Sequence, residues 1–450
     1  MKKRLLAVAL LMLFIVPAFG EEPAAAPEAR ADLSLIAKVF DYGQDIIAAV
    51  IDLGESASAN TADLAPGGFA VTALNTFGET VVYDGVRNVT GVYASDEAAV
   101  AEGEKPAAGR YIIIELQHGY NPADPAVNNG ATALSSSKQM DLQYQVTVTG
   151  AGAADGVHVR KSDVYDEYVD QLVVKDFTRR FTAEGLCYYI YVPETEAGEK
   201  LPIVLWLHGG GERAYAADGE DVFDGAPIRG NQGGVGFVNA MNANPAYKAI
   251  VVAGQSNSDC SWSWNGVGGD QSNHRDDARI DGMLKEIIAE YGDLVDTNRI
   301  YISGCSNGGA QTLSSLIYAC SNEDAVKIAA AAPCCPSLSY VQRTRGRRKI
   351  TDEEIAAIKD TPIWFFNAMT DGTVEYLYTA GTARHLQGTN EAGDIRLTLY
   401  PKLEGNGLDG EGEYPGHWSW TMFLGNNGYG LGYDDVATPF DWLFAQTLAE

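Results

Sequence analysis

The segment spanning residues 299–309 constrains this chain most. Its β-rich residues Ile300, Tyr301 and Ile302 stop at Ser303-Gly304, and Gly304-Cys305-Ser306-Asn307-Gly308 fits the pattern G-x-S-x-G. Residues 310–319 then read as a helix. A strand, a glycine-flanked turn and a helix form the context in which that pattern has chemical meaning. The turn puts the serine in a strained backbone conformation, and the glycines two before and two after it let strand and helix cross closely. The hydroxyl then stands at the carboxyl edge of a sheet, where a helix N-terminus favours nearby negative charge.

Such a turn needs a sheet around it. From Phe177 to Glu450, strand and helix patterns alternate. Residues 186–192, 203–207, 249–253, 300–302, 328–332, 363–366 and 395–400 read as strands. Several are continuous apolar runs, as expected when both faces of a parallel sheet are covered. Residues 278–291 and 439–448 carry helical spacing, with shorter helices expected at 353–358 and 379–386. This predicts a doubly wound α/β domain whose sites lie at the carboxyl ends of the strands.

The preceding region differs. Short β runs at 69–74, 80–83, 110–116 and 143–148 are separated by Gly, Asn, Asp and Pro, and helical periodicity is confined to 33–50. Many short strands at this spacing predict an all-β antiparallel sandwich. It holds no catalytic constellation; His118 and His158 are isolated and read as surface or packing histidines.

At the amino end, Lys2, Lys3 and Arg4 precede the apolar run 5–16 and the small-residue stretch Pro17-Ala18-Phe19-Gly20. This predicts a signal peptide cleaved after Gly20, hence a secreted or periplasmic protein. The expected organisation is a signal peptide (1–20), an Ala/Pro/Glu-rich linker (21–32), the sandwich (33–172) and the α/β domain (173–450). At 450 residues and 46% hydrophobic, the chain can build two or three cores. Its net charge of −28 argues against nucleic acid or an anionic membrane surface as partner. After the leader, no segment reads as a membrane span. The six cysteines all lie from Cys187 onward; export permits disulfides, but spacing does not fix their pairing, and Cys305 is as well read as a buried free thiol. No metal site is expected, because the histidines are scattered and no Cys or His pair has ligand spacing.

A serine hydroxyl is a weak nucleophile and needs a base, an acid to orient it, and donors for the developing oxyanion. The strand at 203–207 runs into His208-Gly-Gly-Gly-Glu-Arg213, whose glycines let backbone N–H groups approach a carbonyl. Gly210 is the preferred donor, with Gly209 or Gly211 as alternatives, and the N–H of Asn307 is the second donor. His208 reads as a brace for this loop. Asp371, in the polar turn after the strand at 363–366, is the candidate acid, with Glu375 as its rival. His417, in the loop Tyr414-Pro-Gly-His417-Trp-Ser-Trp420, is the candidate base. His385 falls in a predicted helix, and His274 precedes the nucleophile. Trp262, Trp264, Trp418 and Trp420 sit on loops near these motifs; Trp264 and Trp418 are the candidates for an acyl pocket. The order Ser306, Asp371, His417 is that of an α/β-hydrolase.

These residues also carry a family resemblance. The run 208–213, the segment 295–304, the turn 304–309 and the endings Gly416-His-Trp-Ser-Trp-Thr421 and Phe440-Asp-Trp-Leu443 resemble bacterial secreted esterases of the polyhydroxybutyrate-depolymerase-like or predicted-peptidase kind. The resemblance covers the chain from Phe177 onward. It implies carboxylic-ester hydrolysis without a cofactor, on a small-molecule or polymer-linked ester. It places Ser306, Asp371 and His417 on the family's triad and residues 208–211 on its oxyanion loop. Some members carry an immunoglobulin-like domain ahead of the catalytic one. Cys305 before the serine is similar to tannases and feruloyl esterases, but those place a second cysteine beside the histidine, where this chain has Trp418. Two other readings stay open: a serine peptidase of the prolyl-oligopeptidase type, and a noncatalytic binding or adhesion protein on a relic hydrolase domain. The sandwich also allows a homo-oligomer formed through the N-terminal domain.

Overall fold

In the computed structural model of the protein, the described residues are 32–120, 139–148, 158–161, 169–217, 220–257, 262, 275–342, 349–389, 393–404 and 413–448. The N-terminal part is a sandwich of two sheets. One has five strands in the order Val169–Gln171, Asp32–Phe40, Gly43–Asp52, Tyr111–Leu116, Val89–Ser95; the other has four, in the order His158–Lys161, Asp141–Val148, Phe69–Phe77, Thr80–Arg87. The ladders are antiparallel, except where Val169–Gln171 runs parallel to Asp32–Phe40. Phe69, Val71 and Ala73 alternate inward with the strand period and meet Leu35, Ile46, Ile112 and Ile114 of the facing sheet.

The helical periodicity at 33–50 is overturned: these residues form the hairpin Asp32–Phe40 and Gly43–Asp52. Both faces of the hairpin are buried. Leu33, Leu35, Ile46 and Ala49 enter the sandwich core, while Ile36, Ala48 and Val50 pack with Tyr93 and Ile113 on the opposite side. With apolar residues on both faces, the two-residue alternation that marks a strand disappears.

The C-terminal part is built on an eight-stranded sheet. Numbered within this sheet, its strands are β1 (Thr178–Phe181), β2 (Cys187–Tyr191), β3 (Leu201–Leu207), β4 (Ile250–Gln255), β5 (Val295–Cys305), β6 (Ala330–Cys334), β7 (Ile363–Ala368) and β8 (Ile395–Tyr400). Their spatial order is β1-β2-β4-β3-β5-β6-β7-β8. β1 and β2 run antiparallel to their neighbours, and β3 to β8 form a parallel array. Separate apolar cores cover the two faces, one around Trp206, Phe366 and Phe423, the other around Ile203, Ile302 and Leu313. All seven expected strands are present.

Two of the elements that escaped the sequence reading show why it fails. β1 is exposed along its whole length and has no apolar pattern to betray it. Helix α1 (Gly233–Ala243) begins with Gly233, Gly234 and Gly236, which disfavour helices in isolation. Tertiary packing overrides that preference: Gly233 has φ +45°, and a side chain there would strike Pro227 O. The remaining helices used below are α2 (Arg275–Tyr291), α3 (Asn307–Ser321), α4 (Asp352–Ile358), α5 (Tyr376–Thr389), α6 (Ser419–Leu424) and α7 (Pro439–Phe444). α7 is shorter than the expected 439–448 and starts at a capping box between Thr438 and Asp441. The sandwich meets the α/β part at its 40–42 turn, where Asn231 Nδ2 donates to Asp41 O at 2.9 Å and Gln232 N donates to Phe40 O at 3.1 Å.

Candidate active site

Ser306 lies between the end of β5 and the start of α3, with φ +54° and ψ −110°. For a residue with a side chain this is a strained conformation, held only because the surroundings fix it. Ser306 N donates to Cys334 O at 3.0 Å, and Ser306 O accepts from Ser337 N at 3.1 Å and from Ser337 Oγ at 3.3 Å. The flanking glycines are sterically required. A Cβ on Gly308 would fall 1.9 Å from Leu207 O, and one on Gly304 2.4 Å from the same oxygen. The end of β3 therefore passes directly against this turn.

Asp371 follows β7 in a tight turn. Its Oδ1 accepts from Thr373 N at 2.8 Å and from Val374 N at 2.9 Å, which fixes the carboxylate before any partner arrives. His417 Nδ1 lies 3.1 Å from Asp371 Oδ1 and 3.0 Å from Oδ2. The Asp371 side chain is fully buried, and that of His417 is 20% exposed. The His417 and Trp420 rings meet in a T-shaped contact, 5.5 Å between centroids. Burial alone disfavours the charged imidazole, but the sulfur of Cys335 and the carboxylate of Asp371 outweigh it, and the pKa of His417 is pushed up to about 10.

The glycine loop lies on the other side of Ser306. His208 is fully buried; its Nε2 accepts from Ser256 N at 2.9 Å, so its proton sits on Nδ1 and points to Gly209 O at 2.5 Å. Burial pushes its pKa down to about 4, which keeps the ring neutral. Gly209 N donates to Glu212 Oε2 at 2.8 Å and so is already engaged. Gly210 packs on Asn307: a Cβ there would come 2.8 Å from Asn307 Nδ2. Gly210 therefore lies against the Asn307 side chain, and Asn307 opens α3, where the positive end of the helix dipole lies. The Cys305 sulfur sits beneath the loop, within 3.4 Å of where a Gly209 Cβ would be, and burial pushes its thiol well up.

The structure brings Ser306, Asn307, Gly210, Asp371 and His417 to the carboxyl end of the sheet. Of their rivals, Glu375 is exposed on the turn before α5, and His385 stacks on Tyr340 at 3.8 Å, away from Asp371. Trp264, His274 and Cys260 lie outside the described residues. Trp418 is partly buried between Tyr120 and Tyr414, at centroid distances of 5.4 and 6.0 Å. Trp262 is fully buried against His208, so it packs the loop and lines no open pocket. The five described cysteines are free thiols.

Sequence reasoning missed Cys335 and Ser337. Cys335 follows β6 with φ +36°, and its Sγ donates to His417 O at 3.4 Å. Ser337 Oγ reaches both Ser306 O and Asn307 Oδ1, each at 3.3 Å. The one available signal was their place just after an apolar strand, where sites of parallel sheets collect.

Residues 32–159 match the family described as the esterase Ig-like N-terminal domain. No curated protein sequence matches the chain. The crystal structure of a thermostable esterase superposes on it with a TM-score of 0.68 at 24% identity, over 93% of this chain and 100% of that one. The acylaminoacyl peptidase of Pyrococcus horikoshii aligns with a TM-score of 0.37 at 17% identity, over 58% of this chain and 43% of its own. Butyrate-bound esterase 2 of Thermogutta terrifontis aligns at 0.35 and 13%, over 51% of this chain and 84% of its own. The fold of this protein is therefore an α/β-hydrolase domain preceded by an immunoglobulin-like domain.

Proposed function

We propose that the protein is a serine carboxylesterase, hydrolysing carboxylic esters of a small molecule or a polymer through an acyl-enzyme. The observation that carries this reading is the Asp371–His417 pair at the same carboxyl edge of the sheet as a strained, glycine-flanked serine. The likeness of the whole fold to a thermostable esterase supports it. In this reading Ser306 Oγ attacks the ester carbonyl while His417 Nε2 takes its proton, and Asp371 holds the other ring nitrogen as the N–H tautomer. The N–H groups of Gly210 and Asn307 stabilise the oxyanion. His417 then protonates the leaving alcohol and activates the water that releases the acid. No cofactor takes part.

The test is hydrolysis of p-nitrophenyl esters from acetate to long acyl chains by the protein and its Ser306→Ala variant. We expect turnover to fall by about 10⁴-fold or more in the variant. Equal rates in the two proteins, or none in either, would overturn the reading.

Export and assembly belong to the same proposal. Residues 1–20 act as a leader that sends the protein to the periplasm or the medium; the mature amino terminus is then Glu21, which terminal sequencing of exported protein checks. A homo-oligomer forms through the N-terminal domain. Supporting this, the edge strand Thr80–Arg87 exposes Val81, Val82 and Val86 at 58%, 43% and 65%. Light scattering on the protein and on Val86→Lys tests it. Among the described residues no helix is long and apolar enough to cross a membrane.

A further inference from the structure

Cys335 has no part in the reaction proposed above, yet its sulfur reaches the pair that has. Its Sγ, a carboxylate oxygen of Asp371 and a ring nitrogen of His417 all lie within 4.8 Å of one another. Cys335 and Asp371 are buried, and His417 is partly open to solvent. The backbone holds the sulfur there: Cys335 N donates to Phe366 O at 2.7 Å, and Sγ rests on His417 O at 3.4 Å.

The geometry suits a small tetrahedral cation. His417 Nδ1 is already 3.0 Å from Asp371 Oδ2. Two ligands bound to one zinc ion at about 2.0–2.1 Å stand about 3.3 Å apart. A turn of the Cys335 side chain brings in a third ligand at the zinc–sulfur distance of about 2.3 Å, and water completes the set from the open side of His417. Thiolate and imidazole are donors that zinc prefers over calcium or magnesium. A thiolate and a carboxylate also neutralise the ion, so the buried site carries no net charge. The acidic chain, at −28, attracts cations to its surface.

We propose that Cys335, Asp371 and His417 form an inhibitory zinc site that overlaps the triad. Zinc takes the lone pair of His417 Nδ1, so the neutral ring carries its hydrogen on Nε2 instead. Cys335 releases its S–H proton to solvent, and Asp371 binds as the carboxylate it already is. With Nε2 protonated, His417 cannot accept the Ser306 proton, so metal binding and turnover exclude each other. The inhibitory consequence rests on the esterase reading; occupancy of the site does not.

The experiment uses the full chain, stripped of metal, with cobalt(II) as the probe for zinc. One cobalt per chain should give a thiolate-to-cobalt charge-transfer band that zinc abolishes, that Cys335→Ala lacks and that Cys320→Ser keeps. Zinc should inhibit ester hydrolysis reversibly by chelator. Measured against each protein's own uninhibited rate, the zinc sensitivity of Cys335→Ala should be weaker by at least about tenfold. If Cys335→Ala does not fold, Cys335→Ser replaces it, since a hydroxyl gives no such band. A band that survives in the Cys335 variant, equal zinc inhibition of both proteins, or no cobalt binding overturns the proposal. Absence of ester turnover in every protein sinks only the esterase reading, and the cobalt band still decides the site.

Discussion

Tyr414 donates its hydroxyl to Asp41 Oδ2 at 2.7 Å, so a turn of the N-terminal sandwich holds the loop that carries His417. Both residues are buried, and the bond spans 373 positions of sequence. Tyr120, also from the N-terminal part, packs its ring against Tyr414 and Trp418 on the same loop. Tyr414→Phe should therefore cost about 1–3 kcal/mol, because it leaves a buried carboxylate one donor short. Denaturant unfolding measures this. If the bond also places His417, kcat should fall several-fold while KM stays nearly constant.

Asp371→Asn should lower kcat by about 10⁴-fold with little change in KM, since an amide favours the wrong imidazole tautomer. The backbone donors from Thr373 and Val374 keep the side chain in place, so the unfolding midpoint should move little. Steady-state kinetics beside a thermal melt separates the two effects.

The raised pKa of His417 has a kinetic consequence. A protonated ring cannot accept the serine proton, so kcat/KM should climb as pH rises through the folded value, well above the ordinary imidazole value near 6.5 and toward about 10. The same shift stabilises the fold fully below about 6.5, and that contribution is lost as pH rises through about 10. Because the Cys335 sulfur is the first of the groups raising it, Cys335→Ser should move the acid limb of the pH–rate profile to lower pH.

Gly308→Ala should be among the most damaging single changes. Its Cβ would meet Leu207 O at 1.9 Å and His208 O at 2.5 Å, which are backbone atoms of β3 and the glycine loop and cannot rotate away. We expect a loss of more than about 3 kcal/mol, or no soluble protein. Gly282→Ala in α2, where no atom lies within 4 Å of the added Cβ, should be neutral or slightly stabilising. Parallel melts of the two variants check this.

Glu212, within the glycine loop, is buried, and burial pushes its pKa up to about 8. Its folded pKa exceeds the ordinary 4.5, so its contribution to stability is full below about 4.5 and is lost as pH rises through about 8. Gln keeps an oxygen to accept from Gly209 N. The stability difference between the protein and Glu212→Gln should therefore drift against the wild type across that window, by at most about 1.4 kcal/mol per pH unit. Denaturation series at several pH values give the slope.

Much of this site was legible from local pattern. Ser306 and Asp371 stand on turns at the carboxyl end of the sheet and His417 on the single 3-10 turn Gly416–Trp418, and the apolar runs before Ser306 and Asp371 mark where those turns begin. Gly304 and Gly308 announced the close crossing that Leu207 O imposes. The rest depends on contacts far apart in sequence. Cys335 meets His417 across 82 positions, and no spacing rule connects them. Asp41 and Tyr120 belong to another domain altogether. The hairpin at 32–52 was misread for a related reason: its second buried face exists only once Tyr93 and Ile113 pack on it.

Residues 334–337 bear on how such a protein can change. Cys334 O and Ser337 clamp the turn that bears Ser306, and Cys335 fastens the loop that bears His417. Ser306 and His417 are splinted to the same four residues. A laboratory search for altered acyl preference should therefore diversify the outer loops and leave this splint untouched. Randomising it displaces Ser306 and His417 at once, and no single compensating substitution in either loop restores both.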